Sequence, residues 1–167
     1  MIFVTVGSRF YQFNRLFKKL DALYDDGTLT EAMFAQIGAS TYHPRNYEYT
    51  DFITPEEFDR RIAESNIVVS HGASGSIMKA LSAGKKVITV SRLEKYGEHI
   101  NDHQFKSNQA FAANGYVLMS DPELADLADC FQKIYEGRDG LRRWENKDPL
   151  AIVKRIDEFI QEHWNDL

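Results

Sequence analysis

Residues 70–76 have the sequence SHGASGS and lie between an apolar, β-branched segment and a helical pattern. Their small side chains leave the backbone N–H groups of Ser74, Gly75 and Ser76 able to face a diphosphate, and the two serine hydroxyls add further donors. The same composition suits a tight strand-to-helix turn with a serine cap, so the residues alone leave both interpretations open. The segment is neither a GxGxxG dinucleotide fingerprint nor a P-loop, because no Gly-Lys-Ser/Thr follows it.

A second polar segment, YGEHINDHQ at residues 96–104, concentrates hydrogen-bonding and titratable side chains between a core strand and a helix start. Such density in a loop is typical of a functional segment, although a solvated loop in which Asn101 or Asp102 caps the next helix would look the same. His71, Glu98 and His99 have the chemistry of a general base, but geometry decides that role. We therefore treat these three as candidate catalytic residues.

A zinc site is the competing interpretation of these histidines. His99 and His103 are four residues apart, which places both on one helix face, and His71 could lie nearby. The spacing is not HExxH, and the sequence contains no Asp-x-Asp pair of the kind that holds a divalent ion on a sugar diphosphate. We therefore expect neither a bound metal nor any other cofactor.

Alternating patterns of short apolar runs and helical periodicity predict the framework that positions these segments. Strands are expected at residues 1–6, 32–37, 47–53, 66–70, 86–90 and 116–118. Helices are expected at 12–25, 54–64, after residue 76 to 83, at 103–114, from 121 onward and at 148–164. This order predicts an α/β fold, a single Rossmann-like, doubly wound parallel sheet with flanking helices.

In such a sheet, ligands bind beyond the carboxyl ends of the strands. Four polar segments of this chain fall there, at residues 7–9, 38–40, 71–76 and 91–104. The sequence thus places the two chemistry-bearing segments at one edge of the sheet.

Composition narrows the classes of function. A chain of 167 residues with 43% hydrophobic residues suits one domain spanning residues 1–167. The net charge of −5 argues against a nucleic-acid partner, and the single cysteine, Cys130, argues against a disulfide framework. The N-terminal apolar run is too short for a signal peptide, and no run approaches the roughly 20 residues of a membrane span. We expect a cytoplasmic protein.

Five segments in this order together resemble the C-terminal domain of the family 28 glycosyltransferases. They are IFVTVGS, QIGAS, SHGASGSIMKAL, GKKVITVSR and YGEHINDHQ, and they cover about residues 1–118. The chain is most similar to stand-alone versions of that domain. These are the small catalytic subunit of the eukaryotic two-component N-acetylglucosamine transferase of lipid-linked oligosaccharide synthesis and its counterparts in bacterial capsule and exopolysaccharide synthesis.

The resemblance implies the C-terminal, UDP-sugar-binding half of a GT-B enzyme. A membrane-anchored partner subunit would supply the missing acceptor half and recruit the chain to the cytoplasmic face of the membrane. The reaction would be metal-independent, inverting transfer of a sugar from UDP to a polyprenyl-diphosphate-linked acceptor. Carried over by position, the donor-binding residues are Gly7, Ser8, Gly38, Gly72, Ser74, Gly75, Ser76, Lys79, Asn101, Asp102 and Gln104. Asn101, Asp102 and Gln104 would contact the sugar, and Ser74 to Ser76 the phosphates.

Lys79 departs from the family pattern. Relatives carry an acidic residue there that holds the ribose hydroxyls, and lysine cannot accept their hydrogen bonds. Lys79 could reach a phosphate instead, Glu98 could take over the ribose, or this chain could bind its donor weakly. The alternative function is therefore a non-catalytic UDP-sugar-binding or regulatory subunit. A UDP-sugar epimerase is disfavoured, since those enzymes are roughly twice as long.

The expected final helix, at 148–164, is amphipathic, with an apolar stripe of leucine, isoleucine, valine, phenylalanine and tryptophan. The stripe suits packing on the chain's own sheet or capture of the partner subunit. Attachment to a membrane surface is less consistent with it, because the polar face mixes both signs of charge.

Overall fold

The computed structural model describes residues 1–100 and 103–145, and its centre is one six-stranded parallel sheet. The strands are β1 (Ile2–Thr5), β2 (Met33–Gln36), β3 (Glu48–Thr50), β4 (Ile67–Ser70), β5 (Lys86–Thr89) and β6 (Leu118–Met119). Their spatial order is β3-β2-β1-β4-β5-β6, and every neighbouring pair is parallel. The predicted Rossmann-like sheet is confirmed.

Helices cover both faces of this sheet, which explains why its central strands are apolar on both sides. The helices are α1 (Asn14–Asp25), α2 (Pro55–Glu64), α3 (Ser74–Ser82), α4 (His103–Ala113) and α5 (Leu127–Tyr135). Alternate residues of β1 point to opposite layers: Ile2 and Val4 pack with side chains of α1 and α5, and Phe3 packs with side chains of α2 and α3. An apolar layer thus packs against each face of the sheet.

Strand register brings the carboxyl ends of the central strands to one edge. Thr5, the last residue of β1, lies opposite both Gln36 of β2 and Ser70 of β4. The chain proceeds from β1 outward to β2 and β3, and then returns to the other side of β1 to form β4. The direction of winding reverses between β1 and β4, which is where such sheets open a ligand-binding crevice.

The predicted start of α2 is confirmed in detail. Thr54 caps the helix, since its hydroxyl accepts a hydrogen bond from the N–H of Glu57 at 3.2 Å. Pro55 occupies the first helical position, where its missing N–H costs nothing.

The helix expected from residue 121 begins later, at Leu127. Asp121 and Asp126 exchange hydrogen bonds of 2.8 Å between side chain and backbone, which closes a turn in place of a first helical turn. Leu124 in that turn has a left-handed φ of 61°. The last strand is also displaced from 116–118 to Leu118–Met119, and the polar stretch after β5 contains a short 3-10 helix, Glu94–Tyr96. The predicted helix at 148–164 lies outside the described residues.

Candidate active site

A cavity of about 790 Å³ opens at the carboxyl ends of β1, β2 and β4, across the point where winding reverses. Three segments named from the sequence meet there: the loop after β1, the turn between β4 and α3, and the polar stretch before α4. The lining residues are Thr5, Gly7, Ser8, Arg9, Gln36, Ile53, Thr54, Pro55, Phe58, His71, Gly72, Ala73, Ser74, Gly75, Ser76, Lys79, His99, Ile100, Gln104 and Ser107.

The amino terminus of α3 forms the middle of the cavity wall. The helix begins at Ser74, and its capping position is taken by Ala73, which has no side chain able to cap it. Within the described chain, the N–H groups of Ser74, Gly75 and Ser76 donate no hydrogen bond to another residue. A serine cap was one interpretation of this segment, but the structure leaves these donors open toward the cavity, where the helix dipole favours an anion.

Gly7 and His71 bring the loop after β1 and the turn after β4 close together. Gly7 has a φ of +73°, and a Cβ placed on it would lie 2.8 Å from the His71 ring. Only glycine therefore suits this position, both for its backbone conformation and for the space beside it. The contact brings the two loops together at the floor of the cavity.

His71 is neutral in this setting. Burial, together with the smaller effect of the nearby Arg92 guanidinium, lowers the pKa of His71 to about 3. Its Nδ1 lies 3.2 Å from the carbonyl oxygen of Thr5, which suits an Nδ1–H donor. An imidazole with so low a pKa is a weak proton acceptor at neutral pH, so its environment suits a fixed dipole better than a general base.

Glu98 does not line the cavity and instead forms a buried ion pair. Its carboxylate is 1% exposed and receives hydrogen bonds from Arg15 Nε at 2.7 Å and from the backbone N–H of Leu93 at 2.9 Å. Arg15 also donates to the carbonyl oxygens of Ser91 and Pro122 at 2.7 and 2.6 Å. This buried ion pair fastens the polar stretch after β5 to α1, and it removes Glu98 from contact with a ligand in the cavity.

The far end of the cavity is formed by His99, Ile100 and Gln104. The His99 ring lies against Tyr11, with 5.3 Å between ring centroids, so it belongs to both the loop after β1 and the stretch after β5. Gln104 Oε1 is buried and has no hydrogen-bond partner within the described part of the chain. Asn101 and Asp102, the other expected sugar contacts, lie outside the described residues.

Lys79 lines the opposite end of the cavity, on α3. Its Nζ lies 2.5 Å from Asp59 Oδ1 of α2 and 5.6 Å from the centroid of the Phe58 ring. The position at which the family resemblance implies an acid is therefore occupied by a cation that is paired with an acid from the neighbouring helix.

Gly38 is the predicted donor-binding residue, among those described, that lies away from the cavity. It is buried behind Val6, and its N–H donates to the carbonyl oxygen of Asp51 at 2.8 Å. In the same segment, Ser40 accepts a hydrogen bond from the N–H of Phe13 at 2.9 Å. Residues 38–40 thus position the start of α1.

Several lining residues were not singled out in the sequence. Thr5 and Gln36 are joined by a buried hydrogen bond of 2.7 Å, and Gln36 Nε2 donates to the carbonyl oxygen of Gly7 at 2.9 Å. Both are polar residues that end otherwise apolar strands, a signal that predicts a residue at the ligand edge. The apolar group of Ile53, Pro55 and Phe58 was also missed, whereas Arg9 belongs to the segment 7–9 that the sequence placed at this edge without assigning Arg9 a role.

Among residues 1–100 and 103–145, no three histidine, cysteine, aspartate or glutamate side chains are grouped so that they could hold a metal ion. No helix in the same part of the chain is long and apolar enough to cross a membrane.

The model of the glycosyltransferase family 28 C-terminal domain matches residues 1–156. The chain belongs to this family. The resemblance inferred from five segments is confirmed, and the matched region extends beyond residue 118.

Among curated proteins, the UDP-N-acetylglucosamine transferase subunit ALG13 of Debaryomyces hansenii is 25% identical over 119 residues. The aligned region is 70% of this chain and 52% of the relative, so the chain spans about half the length of the protein it matches.

Solved structures of larger glycosyltransferases share the fold of this family member. MurG of Acinetobacter baumannii matches 95% of this chain with 49% of its own, at a TM-score of 0.62 and 12% identity. The glycotransferase of kitacinnamycin matches 96% of this chain with 38% of its own chain, at a TM-score of 0.59 and 16% identity. The fold is therefore that of the Rossmann-like C-terminal half of a GT-B enzyme.

Proposed function

We propose that this chain is the donor-binding catalytic subunit of an inverting, metal-independent glycosyltransferase that takes a hexosyl or N-acetylhexosaminyl group from a UDP-sugar. The observation that carries this proposal is the uncapped amino terminus of α3 in a large cavity at the point where winding reverses. Three free N–H groups, at Ser74, Gly75 and Ser76, form a site for a diphosphate.

The two ends of the cavity differ in a way that orients the donor. With the diphosphate on α3, the apolar end at Ile53, Pro55 and Phe58 suits the nucleoside. The polar end at His99 and Gln104 then faces the sugar, and the unpartnered Gln104 Oε1 can accept a hydrogen bond from a sugar hydroxyl. His99 is the candidate base that the cavity presents on the sugar side.

An exposed aromatic pair on the cavity rim supports a partner subunit. Phe10 is 88% exposed and Phe52 is 45% exposed, and their ring centroids lie 6.4 Å apart in an edge-to-face arrangement. Each is the chain neighbour of a lining residue, Arg9 or Ile53, and Ile100 on the far side of the cavity is 62% exposed. Large apolar side chains around a ligand site are typical of a surface that another protein covers. We assign this rim, Phe10 with Phe52 and Ile100, to the acceptor-binding, membrane-anchored subunit.

Reconstitution of transfer tests this function. The chain is co-expressed with a candidate membrane-anchored, acceptor-binding subunit from the same organism, and the purified pair is given labelled UDP-sugars and a polyprenyl-diphosphate-linked acceptor. We expect one UDP-sugar to be used, transfer to persist in a chelating buffer, and each component alone to be inactive. Equal transfer by this chain alone would contradict the two-subunit account.

Lys79 favours a second candidate, a non-catalytic UDP-sugar-binding or regulatory subunit. The ammonium group of Lys79 can donate to a ribose hydroxyl but cannot accept from it, and it is already paired with Asp59, so a weaker donor contact follows. Saturable UDP binding without turnover, even with the partner present, would favour this candidate over the transferase.

A further inference from the structure

Arg9 is a cation in the wall of the candidate active site that has no partner among the described residues. It lies two residues after Gly7 in the loop that follows β1, and its side chain is exposed to the cavity. Within the described part of the chain, its guanidinium makes no hydrogen bond or ion pair with another residue. A free guanidinium in a ligand cavity is available to an anionic ligand, with donors in a planar fork.

The neighbouring basic residues are paired, neutral or outside the cavity lining. Lys79 is paired with Asp59 at 2.5 Å, and His71 is uncharged at neutral pH because burial lowers its pKa to about 3. Arg92 is fully buried and is not among the lining residues. Its Nη2 donates to the carbonyl oxygen of Tyr11 at 2.9 Å, and its Nε and Nη1 have no hydrogen-bond partner in the described part of the chain. Among the lining residues that the structure describes there is no aspartate or glutamate. Arg9 is therefore the cation whose charge the cavity leaves uncompensated.

We propose that Arg9 binds the diphosphate of the donor and stabilises the negative charge that develops on the leaving UDP, an inference that rests on the proposed function. During transfer, the bond between the anomeric carbon and the β-phosphate oxygen breaks, and its electron pair stays on UDP. The acceptor hydroxyl oxygen forms the new bond to the anomeric carbon and gives its proton to a general base.

The charge on the leaving diphosphate rises as that bond breaks. The N–H groups at the start of α3 contribute partial charges only, whereas Arg9 contributes a full one that can bind two phosphate oxygens at once. Because the charge on the diphosphate is larger in the transition state than in the bound donor, Arg9 stabilises the transition state more. Such a difference is the requirement for catalysis.

The binding test compares ligands that differ in their phosphates. UDP, UMP and uridine are titrated calorimetrically into the wild-type chain, Arg9→Gln and Arg9→Lys in chelating buffer. Arg143→Gln is the matched control, since Arg143 is exposed and lies outside this cavity. We expect Arg9→Gln to weaken UDP binding by at least about tenfold, UMP binding less and uridine binding not at all, with Arg9→Lys in between. Arg143→Gln should bind as the wild type does.

The kinetic test uses the reconstituted pair, in which we expect Arg9→Gln to lower kcat by a larger factor than it raises KM. Unchanged UDP affinity in Arg9→Gln, an equal loss for UDP and uridine, or a rise in KM with unchanged kcat would each overturn the role of Arg9 while leaving the proposed function intact. Failure of the wild-type pair to bind and use any UDP-sugar would overturn the proposed function, and the role of Arg9 with it.

Discussion

The side chain of Asn108 fills the space beside Gly72. A Cβ on Gly72 would lie 2.4 Å from Asn108 Nδ2, and Gly72 has a φ of +97°. Asn108 is fully buried on α4 and donates to the Ser91 hydroxyl at 2.9 Å. Helix α4, the stretch after β5 and the proposed phosphate-binding turn are therefore in direct contact, so the shape of the turn depends on residues distant in sequence.

Gly72→Ala should destabilise the protein. The new methyl group meets the Asn108 amide, and alanine is strained at a positive φ, so we expect a loss of about 2–3 kcal/mol in the free energy of unfolding. Gly75→Ala is the matched control, because nothing lies within 4 Å of a Cβ there and the residue is helical. Urea denaturation of both variants measures the difference. Equal stability of the two would contradict the packing described for Gly72.

The ion pair between Arg15 and Glu98 should matter for stability and for donor binding. Glu98→Gln removes a buried charge and leaves Arg15 without its partner, so we expect a loss of about 3 kcal/mol in the free energy of unfolding. We also expect weaker UDP-sugar binding, because residues 91–100 lose their attachment to α1. Asp129→Asn breaks the exposed pair with Lys133 as a control and should cost under about 1 kcal/mol. Equal costs in denaturation would contradict the positioning role of Glu98.

His71 should make stability dependent on pH. Its pKa in the folded protein is lowered to about 3, below its ordinary value of 6.5, so the unfolded chain takes up the proton first. The stability that depends on neutral His71 is therefore complete above pH 6.5 and is lost as pH falls from 6.5 toward 3. Between pH 7.5 and 5.5 this single group accounts for roughly 1.4 kcal/mol.

Urea denaturation at several pH values measures this dependence in the wild type, in His71→Gln and in His43→Gln, whose histidine is exposed. We expect the slope between pH 7.5 and 5.5 to flatten in His71→Gln and to persist in His43→Gln. An unchanged slope in His71→Gln would show that folding does not lower the pKa of His71, and would contradict the buried, neutral imidazole.

The aromatic rim should affect transfer without affecting donor binding. Replacing both Phe10 and Phe52 with serine removes apolar surface that we assign to the partner subunit, so co-purification and transfer should fall while UDP affinity of the isolated chain stays the same. Tyr135→Ser removes a similarly exposed aromatic residue of α5, outside the cavity rim, and should leave all three unchanged. Full transfer by the double variant would contradict the assignment of this surface.

Periodicity predicted the fold well because the strands are short, continuously apolar runs separated by helical patterns. Local signals such as Thr54-Pro55 located a helix start to the residue. Asp121-Pro122-Glu123 has the same composition, yet there the side chains of Asp121 and Asp126 close a turn instead. Competition between side-chain and backbone hydrogen bonds is decided by residues on both sides of the turn, which a helix-start pattern does not include.

The site was predictable where chemistry and chain position coincide, as in residues 71–76. It was less predictable where a side chain's role depends on its tertiary partner. Glu98 has the residue type of a general base, but Arg15, 83 positions away, makes it part of a buried ion pair. Arg9 is the opposite case, a residue that gains a proposed role from its surroundings. It is the available cation because Lys79 is paired and His71 is buried, and a sequence pattern reveals neither fact.

The most direct test of the account is calorimetric titration of the chain with UDP in chelating buffer, using the wild type, Ser76→Trp and Ser82→Trp. Ser76 lines the cavity at the start of α3, whereas Ser82 lies at the exposed end of the same helix. The account predicts saturable binding by the wild type and Ser82→Trp, and none by Ser76→Trp, whose indole fills the phosphate site. Equal binding by the wild type and both variants, or no binding by the wild type, would contradict a donor diphosphate on the amino terminus of α3.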